Sequence, residues 1–292
     1  MPGVNFDRAA AFYDATRALP DGVAEQVRDA VLDRAGARPG TRFLEIGVGT
    51  GRIALPFVRA GHAYCGVDLS TAMLGALREK LIAGPALPAQ PRLACADAMA
   101  LPFRPGVFDV VLLIHVIHLV DDHRETLAEV RRVLRPNGRV IISANEYTEQ
   151  ERRDAEGGRM PTGARLVTTQ WNAIVTELGM DRRWRERGQW ISDAALTADL
   201  ERLGASVERV VLAHYQDRPR TAREVAAAHR DRIYSSDWPI PDDVHAEAAR
   251  RLDRWLETEH RAPDAIFIDQ SAVAALIGTF SGRDRAMDGT TA

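Results

Sequence analysis

Three acidic residues and a glycine-rich turn occupy positions that suit the binding of a nucleoside. Glu45 precedes the glycine turn at residues 47–51, Asp68 ends the next apolar run, and Asp97 ends the run after that. In an open parallel sheet, ligands bind at the carboxyl ends of the strands, near the point where the strand order reverses. Glycines let the backbone approach a ligand, and a carboxylate after the second strand can accept hydrogen bonds from ribose hydroxyls. Asp97 lies one strand further along, where an adenine amino group is expected.

The spacing of the glycines bears on which nucleotide this site could take. A dinucleotide-binding turn has the pattern G-x-G-x-x-G, whose third glycine would fall at position 52. Arg52 occupies that position, and the turn has the form E-x-G-x-G-x-G instead. The departure disfavours a nicotinamide dinucleotide, although a nicotinamide-dependent Rossmann oxidoreductase stays open as an alternative.

Two histidines, His115 and His118, follow the most apolar run of the chain. Because the unperturbed pKa of histidine is about 6.5, either side chain could accept a proton from a hydroxyl or amine near neutral pH. Alternatively, both histidines only shape the pocket by packing. The sequence does not decide between these roles, and His115 is favoured as the residue that lines the pocket.

Short apolar runs alternate with helical patterns between residues 42 and 143, as is typical of a parallel sheet covered by helices. We predict strands at 42–46, 63–67, 92–96, 108–114 and 139–143, the last one after a turn at 136–138. Ser70 and either Asp121 or Asp122 are predicted helix N-caps. The expected fold class is α/β, a Rossmann-like, doubly wound, mostly parallel sheet of seven strands with helical cap insertions.

The regular alternation stops on both sides of this region. An amphipathic helix is predicted over 22–35, and residues 147–190 are polar, rich in arginine and expected to be irregular. Further predictions are a helix from 192 to 203, a strand at 206–213, a helical stretch at 221–260 and a final strand beginning near 265. The expected organisation is an N-terminal helical lid (1–39), a ligand-binding core (40–145), a cap insertion (146–192), a continuation of the core (193–216), a helical cap insertion (217–262), a final core strand (263–281) and a flexible tail (282–292).

The ordered motifs of residues 40–145 resemble those of the class I S-adenosylmethionine-dependent methyltransferases, in particular the small-molecule enzymes of the methyltransferase domain 11 type. Residues 43–52 (FLEIGVGTGR) resemble the first motif, 67–70 with Met73 the second, and 96–103 (ADAMALPF) the third. Residues 108–111 and 134–138 resemble the region of the fourth strand and the helix and turn that follow it. Several motifs in the family's order make this resemblance more specific than a lone glycine turn.

The resemblance implies S-adenosylmethionine as cofactor, S-adenosylhomocysteine as product and an unidentified small-molecule acceptor. It assigns Glu45 and the glycine backbone to the methionyl part, Asp68 to the ribose and Asp97 to the adenine edge. The N-terminal segment and both insertions are expected to close over the cofactor and exclude water. The implied cofactor-binding residues are Tyr13, Arg17, Glu45, Gly47, Val48, Gly49, Gly51, Asp68, Leu69, Met73, Asp97, Ala98, Met99, Ile114 and His115, with His115 and His118 as candidate catalytic residues and no metal ligands.

Composition argues against several other classes of protein. The 292 residues carry 38 basic and 41 acidic side chains, a net charge of -3, whereas non-specific nucleic-acid binding requires an excess of positive charge. The family's Asn/Asp-Pro-Pro-Tyr motif, found in enzymes that methylate nucleic-acid or protein amines, does not follow the fourth strand. The arginine-rich run at 182–187 is therefore expected to be a solvated surface.

Cysteine and lysine are rare in this chain. Cys65 and Cys95 are too few for a disulfide scaffold or a cysteine zinc site, and Lys80 is the single lysine. The first residues lack the pattern of a signal peptide, and the longest apolar run is too short to span a membrane, so a cytoplasmic location is expected. A non-catalytic S-adenosylmethionine-binding protein is a further alternative, and the acceptor, the methylated atom (O, N or C) and the oligomeric state stay open.

Overall fold

The computed structural model describes residues 6–144, 163–180 and 191–281, and within them seven strands form one sheet in the order β3-β2-β1-β4-β5-β7-β6. β7 is antiparallel to both of its neighbours, whereas the other adjacent strands are parallel. The predicted α/β class with a mostly parallel, seven-stranded sheet is confirmed. The strands are β1 (Arg42–Ile46), β2 (Ala63–Asp68), β3 (Arg92–Cys95), β4 (Phe108–Leu113), β5 (Leu134–Ser143), β6 (Ala205–Gln216) and β7 (Gln270–Phe280).

Nine α-helices and three short 3-10 helices lie within the described residues. The α-helices are α1 (Tyr13–Arg17), α2 (Val23–Ala35), α3 (Ala54–Arg59), α4 (Thr71–Ala83), α5 (His123–Val133), α6 (Gly163–Glu177), α7 (Asp193–Arg202), α8 (Ala222–Arg230) and α9 (Asp242–Thr258), and the 3-10 helices are Asp7–Ala9, Ile117–Leu119 and Ser235–Asp237. Ser70 caps α4 by accepting a hydrogen bond from the Met73 amide, as predicted. Of the two aspartates proposed before α5, Asp122 is the N-cap.

Helices cover both faces of the sheet. Successive side chains of a strand point to opposite faces, so neighbouring residues of a central strand are buried on different sides. In β4, Val110 and Leu112 pack on the face covered by α2, α3 and α4, whereas Val111 and Leu113 pack on the face covered by α5 and α7. This explains why the run is continuously apolar and does not alternate with polar residues.

A third core lies away from the sheet, where α6, α8 and α9 pack together; we call these three helices the cap. Residues 163–177 form α6, so the expectation of an irregular segment over 147–190 was wrong for this part. Trp171 of α6 is fully buried in the cap core, and apolar packing overrides the polar composition of the surrounding sequence. Trp184 and Trp190 lie outside the described residues.

Two strands begin about five residues away from their predicted starts, whereas β6 extends to Gln216 and not only to the predicted 213. β5 begins at Leu134, because Leu134 pairs with Phe108 before a register shift, and the predicted turn at 136–138 lies within that irregularity. Asn137 accommodates it with a φ of 64°. The final strand begins at Gln270 and not near 265, since Phe267 forms only an isolated bridge with Arg220.

Candidate functional site

A cavity of about 760 Å³, including its open mouth, lies at the carboxyl ends of β1, β2 and β4. The order of the sheet reverses between β1 and β4, which is where open α/β sheets bind ligands. The predicted site residues that line this cavity are Tyr13, Gly47, Gly49, Asp68, Leu69, Met73, Asp97, Ala98, Met99, Ile114 and His115.

The glycine turn forms one wall of the cavity, and its backbone conformation requires glycine. Gly47 has a φ of 72°, and a Cβ atom there would lie 2.5 Å from Cγ2 of Val116. Gly49 has a φ of 54° and borders the cavity, and a Cβ atom there would stand in open space. Gly49 therefore leaves room in which a ligand can approach the backbone, whereas Gly47 permits close contact between the turn and Val116.

The Asp68 carboxylate is held in place from two sides. Oδ2 accepts a hydrogen bond of 2.8 Å from the Gly49 amide, and Oδ1 accepts one of 2.8 Å from the Ser70 amide. Burial raises the pKa of Asp68, and the two backbone N–H groups oppose that rise. Because a carboxylate has about four acceptor positions, it can also accept hydrogen bonds from a ligand.

Asp97 and the residues around it form the wall on the β3 side. Its Oδ1 atom accepts a hydrogen bond of 2.9 Å from the Met99 amide, which fixes the side chain after the end of β3. Leu69 and Met73 contribute apolar surface to the same cavity. The wall therefore combines an acceptor group with apolar side chains, as a heteroaromatic ring with an amino group requires.

A second cavity of about 260 Å³ adjoins the first and is lined by Glu45, Val48 and Arg52. Glu45 is only 2% exposed and accepts a hydrogen bond of 2.8 Å from the Tyr64 hydroxyl. Burial raises the pKa of Glu45 to about 8, although the Tyr64 hydrogen bond and the charge of Arg52 act in the opposite direction. Glu45 is consequently protonated at neutral pH in the protein alone.

His115 borders the main cavity in an unusual backbone conformation. Its φ is 58°, a region that non-glycine residues rarely adopt, and its amide donates a hydrogen bond of 2.7 Å to Oγ of Ser143. Solvent reaches the side chain through the cavity, yet desolvation by the surrounding protein, together with the charges of nearby Arg52, His118 and Arg17, lowers the pKa of His115 to about 3. The imidazole is therefore neutral at physiological pH.

His118 lies in the 3-10 helix after β4 and does not belong to the residues that line either cavity. Burial lowers the pKa of His118 to about 4, and the charge of Arg17 contributes. His118 is thus also neutral at physiological pH.

Residues 6–17, which we call the N-terminal segment, cover one side of the main cavity through Phe6 and Tyr13. Asp7 accepts hydrogen bonds from the Ser70 hydroxyl (2.5 Å) and the Ala72 amide (3.1 Å) at the start of α4. Asp14 accepts a hydrogen bond of 2.6 Å from the Thr50 hydroxyl in the glycine turn. The segment is therefore attached to the sheet domain on both sides of the cavity.

The same segment also contacts the connection between helices α8 and α9 of the cap. The Phe6 ring lies 4.9 Å from the Trp238 ring, and the Arg8 guanidinium lies 4.8 Å from its centroid. Arg17 stacks 4.9 Å from the Tyr234 ring and donates a hydrogen bond of 3.4 Å to the Ile233 carbonyl. Arg17 therefore joins the segment to the cap and, unlike the prediction, is not among the residues that line the cavities.

Gly51, the other predicted site residue outside the cavity walls, serves the packing of the turn. A Cβ atom there would lie 2.3 Å from Cδ1 of Leu77, so the residue permits close contact between the turn and α4. Conversely, several cavity residues were not predicted from the sequence, among them Phe6, Arg52, Val116 and Asp121. For Arg52 the sequence does contain a signal, since a basic residue directly follows the glycine turn at the position where a dinucleotide-binding turn has its third glycine.

The described residues contain neither a cluster of metal-binding side chains nor a membrane-spanning helix. No group of three or more histidine, cysteine, aspartate or glutamate residues there could hold a metal ion. None of the helices in the described part of the chain is long and apolar enough to cross a membrane.

Comparisons with known proteins agree with this geometry. Residues 44–142 match the family model described as "Methyltransferase domain". A demethylmenaquinone methyltransferase from Streptomyces griseus is 31% identical over 212 residues, which cover 69% of this chain and 84% of that protein. A ubiquinone/menaquinone biosynthesis C-methyltransferase from Ruegeria sp. is 36% identical over 145 residues, which cover 47% of this chain and 56% of that protein.

A solved structure shares the fold over most of the chain. The YcgJ protein from Bacillus subtilis superimposes with a TM-score of 0.55 and 18% sequence identity, covering 89% of this chain and 99% of that protein. At this identity the likeness concerns the arrangement of strands and helices.

Proposed function

The chain belongs to the class I S-adenosylmethionine-dependent methyltransferases, and from this premise we propose that it methylates a small organic acceptor beside His115. S-adenosylmethionine is its cofactor, and the alternative of a nicotinamide-dependent oxidoreductase is therefore excluded. The observation that carries the proposal is the cavity at the reversal point of the sheet, whose wall contains Asp68, Asp97 and an open glycine turn.

The main cavity suits the nucleoside part of the cofactor. The Asp68 carboxylate, already oriented by the Gly49 and Ser70 amides, would accept hydrogen bonds from the ribose hydroxyls. Asp97, oriented by the Met99 amide, would accept one from the adenine amino group, between apolar surfaces. A carboxylate that is fixed before binding loses little freedom when the ligand arrives, which favours affinity.

The second cavity suits the methionyl part, because it combines an acidic and a basic side chain. Arg52 would pair with the methionyl carboxylate, and Glu45 would accept a hydrogen bond from the methionyl ammonium. Since the pKa of Glu45 is raised to about 8, an adjacent ammonium would favour its ionised form. Binding near neutral pH should therefore release a proton.

The cofactor, when bound, supplies an electrophilic methyl group on a sulfonium. The protein has to place the acceptor atom in line with that methyl group and exclude water, and positioning supplies much of the rate enhancement for such transfers. We assign two roles to the neutral imidazole of His115: it orients the acceptor and accepts the proton that the acceptor loses. The N-terminal segment, which covers the cavity through Phe6 and Tyr13, would shield the reacting atoms from solvent.

The names of the two curated relatives support a quinone-like acceptor, since one is a demethylmenaquinone methyltransferase and the other a C-methyltransferase of ubiquinone and menaquinone biosynthesis. Phe6 and Tyr13 offer aromatic surface against which a flat ring could pack. We therefore propose an aromatic, quinone-derived small molecule as the acceptor class.

A labelling experiment tests the acceptor class. The purified protein is incubated with S-adenosylmethionine carrying a tritiated methyl group and with a reduced short-chain demethylmenaquinone, a simple catechol, bulk transfer RNA or a basic protein. We expect label in the organic extract of the quinol reaction, and less of it with Asp97→Asn at a cofactor concentration below saturation. Label that appears only in the RNA or protein fraction would contradict a small-molecule acceptor.

A further inference from the structure

We propose that Asp14 and Lys80 are positioning residues for the cofactor. Their ion pair holds the N-terminal segment over the cavity, and the stability of this contact sets the rate at which S-adenosylhomocysteine dissociates. The inference rests on the proposed placement of the cofactor in that cavity. It concerns residues that were not predicted to belong to the site.

Three parts of the chain meet at this ion pair. Nζ of Lys80, on α4, lies 2.5 Å from Oδ2 of Asp14 and donates a hydrogen bond of 2.9 Å to the Thr50 carbonyl. The other carboxylate oxygen of Asp14 accepts a hydrogen bond of 2.6 Å from the Thr50 hydroxyl. Thr50 belongs to the glycine turn and is only 1% exposed. The three groups therefore form a closed ring of contacts between α1, the turn and α4.

The pair is coupled to residues that border the ligand. Tyr13, directly before Asp14, lines both cavities. One turn further along α1, the carbonyl of Arg17 accepts a hydrogen bond of 2.7 Å from Nη1 of Arg52. A displacement of Asp14 would therefore move the Tyr13 ring and remove the anchor of the arginine that we assign to the methionyl carboxylate.

The exposure of the pair would ordinarily argue against a large effect. The side chains of Lys80 and Asp14 are 31% and 49% exposed, and isolated ion pairs of this kind contribute little. Here, however, the same carboxylate also accepts a hydrogen bond from the buried Thr50 hydroxyl, and charge-assisted hydrogen bonds are stronger than neutral ones. Breaking the pair therefore disturbs a buried contact as well as a surface one.

Dissociation of S-adenosylhomocysteine, measured by stopped flow, tests the proposal with Asp14→Asn, Lys80→Met and the double variant. We expect each single variant to release the product about three- to tenfold faster, and the double variant to add little, because both changes open the same pair. Added salt should accelerate release from the wild-type protein but not from the variants, since an exposed pair is screened. Unchanged single variants, or effects that add fully, would overturn the proposal.

The matched control is Asp253→Asn. Asp253 pairs with Arg230 in the cap at similar exposure, 43% and 45%, and neither residue lines a cavity. We expect this variant to release the product at the wild-type rate. A comparable acceleration would show that the loss of any surface ion pair is sufficient, and would overturn the specific role of Asp14 and Lys80.

The single lysine offers a readout that does not depend on turnover. Reductive methylation with ¹³C-formaldehyde labels only Lys80 and the chain's terminal amine, so Lys80 gives one NMR signal. We expect that signal to differ from free dimethyl-lysine in the wild-type protein and to move towards it in Asp14→Asn. A free-lysine position in the wild type would overturn the ion pair, whereas a wild type that keeps the pair but binds no S-adenosylhomocysteine would refute the proposed cofactor site instead.

Discussion

Single residues at this site owe their chemistry to burial as much as to their type. Glu45 and His115 have ordinary pKa values of 4.5 and 6.5, yet burial raises the pKa of Glu45 and the surrounding protein lowers that of His115, so both move towards their uncharged forms. A low-dielectric setting disfavours any charge that lacks a partner. Beside the charged groups of the site, Glu45 and His115 are therefore neutral groups that a charged ligand could ionise or orient.

Glu45 should make the stability of the protein fall as pH rises. Its pKa is about 8 in the folded protein against 4.5 in the unfolded chain, so the folded state binds more protons between these values. The free energy of unfolding should decrease across this window by up to about 1.4 kcal/mol per pH unit. Glu45→Gln keeps an oxygen for the Tyr64 hydroxyl and removes the titration.

Urea denaturation at pH 5.5, 7 and 8 measures this effect. We expect the stability of Glu45→Gln relative to the wild type to increase with pH, while the exposed Glu201→Gln follows the wild type at every pH. Parallel stability curves for the wild type and Glu45→Gln would show that Glu45 is ionised throughout.

His115 should leave no titration in the activity near pH 6.5. His115 and His118, with pKa values of about 3 and 4, are both neutral above about pH 5. Any decrease in kcat/KM that their protonation causes should therefore occur below pH 5. A base with so low a pKa has little driving force, and His115→Asn should reduce turnover by about 10- to 100-fold. A limb between pH 6 and 7 that disappears in His115→Asn would contradict the shifted pKa, and unchanged turnover would exclude the base role.

At the scale of elements, the sequence predicted the strands and caps of residues 42–143 well, because their apolar runs and turn residues are local signals. It did not predict α6, since a polar, arginine-rich composition conceals the apolar positions that α6 presents to α8 and α9. The resemblance implied that the N-terminal segment closes over the cofactor, but no local pattern predicted the contacts that hold the segment there. The contacts of Asp7 with Ser70 and of Asp14 with Thr50 join residues far apart in the chain, and local patterns do not encode such contacts.

The cap should be stabilised by a buried polar network around Asp237. The Trp171 indole N–H donates to Oδ1 of Asp237 at 3.0 Å, and Oδ2 lies 2.9 Å from Nδ1 of His229. Trp171→Phe leaves a buried carboxylate oxygen without this donor, and such a loss costs about 1–3 kcal/mol. Because Trp171 lies in the cap core, its replacement should act on the cap's stability and not on direct contact with the acceptor.

Hydrogen exchange followed by mass spectrometry can locate this loss. In Trp171→Phe we expect faster exchange in α6, α8 and α9, unchanged exchange in β1, β4 and β5, and an affinity for S-adenosylhomocysteine within about threefold of the wild type. Equal acceleration in the sheet would show that the cap and the sheet unfold as one unit.

At the scale of the whole molecule, the sheet, the N-terminal segment and the cap meet at the carboxyl ends of the strands. The reversal of strand order between β1 and β4 opens the cavity, the N-terminal segment covers it, and Trp238 and Tyr234 attach that segment to the cap region. The motif order of residues 40–145 was sufficient to predict the sheet and the acidic residues at its strand ends. The antiparallel position of β7 between β5 and β6 depends on long-range pairing, which no local pattern specified.

Calorimetric titration with S-adenosylhomocysteine tests the central claim, that the cavity binds the cofactor through Asp68 and Asp97. Asp97→Asn can keep the hydrogen bond with the Met99 amide while presenting a donor to the adenine amino group, and Asp68→Ala removes the ribose acceptor. Asp109→Asn is the control, since Asp109 lies at the opposite end of β4 and pairs with Arg135. We predict saturable binding to the wild type and the control, and about ten- to hundredfold weaker binding to folded Asp68→Ala and Asp97→Asn. Wild-type affinity in both of these variants, or no binding to the wild type, would contradict the account.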